Sequence, residues 1–74
     1  MTSLCLHVIY RDPSDYPGRY VVRRQYAGAD GVSAEAVPLV VTDNLTSARA
    51  ALPLGLHNIG RAPDDDRAIL EVWI

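Results

Sequence analysis

The chain has 74 residues, 49% of them hydrophobic, with seven basic side chains against nine acidic ones and a formal charge of −2. That length excludes a multidomain enzyme, and the single cysteine, Cys5, excludes an intrachain disulfide framework. The apolar fraction is that of a folding chain rather than a disordered one, and the balanced charge argues against a general polyanion binder.

The basic residues are all arginine, and alanine is plentiful, a pattern of GC-rich coding rather than of chemistry. A free thiol without a secretion signal predicts a reducing, cytoplasmic setting. Met1-Thr2-Ser3 and the run that follows lack the basic stretch and small-residue cleavage site of a signal peptide. Residues 1–37 sum to zero charge and residues 38–74 to −2, so no basic half exists.

Residues 4–11 alternate, with Leu4, Leu6, Val8 and Tyr10 on one side and Cys5, His7, Ile9 and Arg11 on the other. Period-two alternation of β-forming residues predicts a strand. Pro13 and Pro17-Gly18 break it and predict a turn. Residues 19–26 predict a second strand, with Tyr20, Val22, Arg24 and Tyr26 on its core side and Arg19, Val21, Arg23 and Gln25 opposite.

Residues 27–35 are small and contain Asp30-Gly31, which predicts a loose hairpin loop. Residues 36–42 predict a third strand with Pro38 at an edge. Residues 43–53 predict the one helix. Asn44 is its N-cap, with Asp43 the alternative, and Leu45, Ala48 and Leu52 form its apolar stripe. Pro53 and Gly55 end it. Residues 54–62 predict an irregular return, Pro63 to Asp66 a turn, and residues 67–74 the last strand.

The order β-β-β-α-β predicts a single α+β domain over residues 1–74: a four-stranded mixed sheet with one short helix packed on one face. The helix would cross over, right-handed, to a last strand lying parallel to the first, in the order 3-2-1-4. It would cover Leu4, Leu6, Val8, Val22, Leu70, Val72 and Ile74. The other face would then carry Cys5, His7, Ile9, Val21, Arg23, Ile69, Glu71 and Trp73.

That second face is too apolar for solvent and too polar for a core, with an aromatic centre and a charged rim. It predicts a non-enzymatic interaction module, a homodimer or small hetero-complex, built on Ile9, Val21, Arg23, Ile69, Glu71 and Trp73 or on an exposed edge strand. The competing arrangement folds residues 54–62 under the sheet to cover Trp73. A second function is single-stranded nucleic-acid binding by Arg19, Tyr20, Arg23, Arg24 and Tyr26, since arginine contacts phosphate and tyrosine stacks on bases. A third is an enzyme with His7 or His57 as acid and base.

Cys5 and His7 share a strand face, but two ligands define no metal site and no Cys-x-x-Cys is present. Asp64, Asp65 and Asp66 lack calcium-loop spacing and read as a solvated turn. No cofactor, metal or membrane partner is implied. Tyr16-Pro17-Gly18 before a Val-Arg strand, Leu45 to Leu52-Pro53, and the terminal Glu71-Val72-Trp73 make the chain similar to short proteins of GC-rich bacteria and their phages. That resemblance implies no site.

Overall fold

A computed structural model describes residues 4–74. Met1-Thr2-Ser3, which bear on the expected absence of a signal peptide, lie outside the described residues. The elements in chain order are β1 (Leu4–Arg11), β2 (Tyr20–Gly28), β3 (Gly31–Ala34), β4 (Val40–Thr42), α1 (Leu45–Ala50) and β5 (Ile69–Trp73). The sheet runs β3-β2-β1-β5, with β4 pairing β2 beyond the end of β3. The fold is α+β, with five strands rather than four, and every named pairing is antiparallel rather than mixed.

The additional strand is β3. Gly28 pairs with Gly31 across Ala29-Asp30, and Gly31 takes φ +113, which a side chain would strain. The small-residue stretch expected as a loop therefore continues the β2 hairpin. The expected third strand contracts to Val40–Thr42, behind Pro38.

The last strand is antiparallel to β1, not parallel as the crossover predicted. The crossover does occur, but its landing strand is the segment around Asn58. Asn58 pairs antiparallel with Trp73, and His57 exchanges backbone hydrogen bonds with Ile74. The 57–59 segment therefore runs in the direction of β1. The turn at 63–66 then reverses the chain into β5. In that turn the Asp65 carboxylate accepts from the Ala62 N–H and the Asp66 carboxylate from the Ala68 N–H.

The register of β1 on β2 pairs Val8 with Arg23 and Ile9 with Val22. Directly opposed residues share a face, so Ile9, Glu71 and Trp73, expected on the open face, lie on the face the helix covers, while Val21, Arg23 and Ile69 lie on the other. Ile9, Val22 and Ala48 are fully buried together, with Tyr20, Val40, Leu45, Leu52 and Trp73 packed around them. Ala48 is small enough to bring the helix close to the Ile9–Val22–Val40 row. Asn44 caps the helix, its side-chain oxygen accepting from the Ser47 N–H at 2.7 Å.

The opposite face carries Leu6, Val8, Val21, Arg23 and Val72. It is covered by loops. Residues 59–62 and Asp65 flank Leu6, Val8, Ile69 and Val72, and together they line an open cleft of about 320 Å³. The β1–β2 loop folds over the other end: Pro13 is buried, and the Arg23 guanidinium lies 5.7 Å from the Tyr10 ring and 5.8 Å from the Tyr16 ring. The return thus folds under the sheet, against Val8 and Val72 rather than over Trp73. Between Ile9 and Tyr10 the β5 register shifts, which places Ile69 opposite Tyr10.

Ile9 has no accessible surface, so its truncation should act on stability. Ile9→Val is expected to cost about 0.5–1.5 kcal/mol and Ile9→Ala about 2–5 kcal/mol. Urea midpoints read both values, and an Ile9→Ala protein as stable as wild type would refute this core.

Candidate functional site

The arginines of the predicted nucleic-acid strand each face a carboxylate. Arg19 Nε lies 2.8 Å from Asp43, Arg24 Nη2 lies 2.9 Å from Glu35, and Arg23 pairs with Asp15. The Tyr26 hydroxyl donates to the same Glu35 carboxylate at 2.6 Å. Arg23 lies on the Val8 face; Tyr20, Arg24 and Tyr26 lie on the Ile9 face. Those five residues therefore form no continuous basic surface.

The predicted interface set is also divided. Ile9, Glu71 and Trp73 lie on the helix-covered face, and Val21, Arg23 and Ile69 on the loop-covered one. Ile9 and Val21 are fully buried. Glu71 receives both Nε and Nη2 of Arg49, and the Trp73 indole N–H donates to it at 3.0 Å. The Arg49 hydrogen bonds, with smaller help from Trp73, hold the Glu71 carboxyl below its ordinary pKa against the opposing effect of burial. Glu71 thus fastens the helix to β5 rather than lying on an open rim.

Cys5, His7, Arg24, Tyr26 and Glu35 form one cluster. The register opposes Cys5 to Tyr26 and His7 to Arg24, and Glu35 follows β3 on the far side of Arg24, its N–H donating to the Arg24 carbonyl at 3.0 Å. Glu35 and Asp15 were not singled out from the sequence. Their signal was available only through pairing: Glu35 meets Arg24 once the turn is placed at Ala29-Asp30. Hydrogen bonds from Tyr26 and Arg24 depress the Glu35 carboxyl, while the bond to Glu35 raises the Tyr26 phenol and the Arg24 guanidinium. His7 is buried, and its Nδ1 has no hydrogen-bond partner among the described residues. Among the described residues no group of three His, Cys, Asp or Glu side chains is placed to hold a metal ion.

The remaining feature is an edge. All four residues of β3 are exposed, including Val32 at 67%. On its inner side β3 pairs with β2; among the described residues no strand pairs with its outer side. Because Glu35 faces inward, ladder alternation turns Gly31 and Ser33 inward as well. Val32 and Ala34 then present N–H and C=O outward. The strand carries no charged residue and no proline, the common guards of an open edge.

Comparison with protein-family models, with curated proteins and with solved structures gives no match. The class that the coordinates define is an open antiparallel α+β sheet with one short helix. Among the described residues no helix is long and apolar enough to cross a membrane.

The cluster generates a pH dependence. Burial first, and the Arg24 charge second, lower the His7 pKa from 6.5, with Glu35 partly opposing. Below about 6.5 the unfolded chain therefore binds a proton that the folded one resists, and stability falls as pH falls. The Glu35 and Glu71 contributions are lost separately, as pH falls below about 4.5. Urea midpoints at pH 8 and pH 5.5 should differ for wild type and converge for His7→Gln. An equal drop in both proteins would remove His7 from this account.

Proposed function

We propose that this chain is a non-enzymatic protein-interaction module that self-associates through the outer edge of β3. The observation that carries this reading is the wholly exposed outer edge of β3, unpaired among the described residues and free of charge and proline. An edge of free N–H and C=O groups is a template for another strand. A chain of this size buries only roughly 60% of its unfolded surface by itself, so association adds burial it otherwise lacks.

The faces offer less. One is covered by α1 and the other is partly covered by two loops, and Ile9 and Val21 have no surface to give. The carboxylate partners of Arg19, Arg23 and Arg24 favour the interaction reading over nucleic-acid binding.

The edge is also held in shape. The Glu35 side chain, just past β3, is tied to Arg24 and Tyr26 of β2, so the strand meets a partner already extended. Ordering before contact lowers the entropy that association must overcome.

Light scattering across micromolar concentrations should show a monomer–dimer equilibrium. Ala34→Pro removes an outward N–H and no inner ladder bond, so it should shift the protein to monomer, while its urea midpoint should match wild type at concentrations low enough that wild type is itself monomeric. Val32→Lys, a charge on the same edge, should do likewise. A wild-type protein that is monomeric throughout, or variants as dimeric as wild type, would overturn the reading.

A further inference from the structure

We infer that the partner at β3 is a second copy of this chain, paired antiparallel with Ser33 on the twofold axis; this rests on the self-association reading above. The register follows from which backbone groups are free. Val32 and Ala34 point N–H and C=O outward, while Gly31, Ser33 and Glu35 point theirs toward β2. In an antiparallel ladder, the residues that exchange both hydrogen bonds must face each other across the join. Outward residues must therefore oppose outward residues. A slip of one residue would set Val32 against an inward-turned partner and form no bonds.

Three twofold arrangements satisfy that condition: Val32, Ser33 or Ala34 opposite itself. Centring on Val32 would oppose Ala34 to the partner's Asp30, which lies in the hairpin turn. Centring on Ala34 would oppose Val32 to the partner's Ala36. That residue lies beyond the strand, and in this chain its carbonyl already accepts from Arg23 Nε at 3.5 Å. Centring on Ser33 opposes Val32 to the partner's Ala34 and Ala34 to the partner's Val32. Both outward residues of each copy are then used, giving two doubly bonded pairs within a four-residue strand.

Charge agrees with this register. Asp30 and Glu35 flank β3, and the register that would oppose them is already excluded because it sets outward residues against inward ones. With Ser33 on the axis, Glu35 faces the partner's Gly31 and Asp30 faces the partner's Ala36. No like charges are opposed. Val32 of each copy then lies over the partner's Ala34, on the face that also carries Val8. The two sheets become one continuous antiparallel sheet.

The register is read by single cysteines in a Cys5→Ser background. Ser33 and the partner's Ser33 form a non-hydrogen-bonded pair with Cα atoms about 4.5 Å apart, within disulfide range. Ser33→Cys should therefore form a covalent dimer under mild oxidation about tenfold faster than the exposed helix control Thr46→Cys, because pairing raises the local thiol concentration. Val32→Cys and Ala34→Cys should crosslink with each other when mixed, in preference to themselves. If wild type is dimeric by light scattering but Val32→Cys or Ala34→Cys self-crosslinks fastest, the register is overturned and self-association stands. If Ser33→Cys crosslinks no faster than Thr46→Cys while the dimer persists, the join lies elsewhere. A monomeric wild type overturns both statements.

Discussion

The pairing of Ile9 with Val22 is the constraint on which the rest of the structure depends. It places Ile9, Val22 and Val40 in one cross-strand row, and Ala48 lies on that row. Once this face is chosen, Glu71 opposite Ile9 must point toward the helix, where Arg49 meets it. The ion pair is thus a consequence of the apolar register. The other face then receives Val8, Val21 and Val72, and with one short helix among the described residues it is loops that flank this face. A one-residue slip between β1 and β2 would exchange all of these roles.

Charge reinforces the same arrangement. The arginines of β2 and its approach are matched by acids from three separate places: the β1–β2 loop, the end of β3 and the start of the helix. Exposed pairs of this kind contribute little energy singly. Their effect is to select one placement for each loop. Arg23, lying against the rings of Tyr10 and Tyr16 and held by Asp15, ties the β1–β2 loop to β2.

Much of the local structure was legible in the sequence. The alternation of residues 4–11 and 19–26, the Asn44 cap and the aspartate turn all have short-range causes. What could not be read was the relation between elements. Alternation sorts each strand into two faces but does not say which face of β2 accompanies which face of β1, and it is equally compatible with Val22 beside Val8 and with the observed pairing of Val22 with Ile9. The third strand was hidden because Gly31, Ser33 and Ala34 are weak β-formers; pairing with β2, not propensity, makes them a strand. The direction of β5 was missed because the short extended piece at 57–59 receives the crossover first. At the candidate site, the exposed edge was legible only as an open alternative to a sheet face. Glu35 was invisible without the hairpin register, and Trp73 looked free because its cover, the helix, had been placed on the other side.

The junction of β1 with β5 sets the order in which the molecule can assemble. His7 and Trp73 come from opposite ends of the chain, whereas β2 meets β3 through a two-residue turn. Closing the long loop has the larger entropic cost, and the hairpins do not require it. A chain with β1, β2 and β3 already paired still lacks the Glu71 anchor for its helix. It also lacks the strap over Val8, which β5 carries into place. The final pairing therefore brings the helix anchor and the strap beside Val8 into place together, and the β2–β3 hairpin with its outer edge does not depend on it.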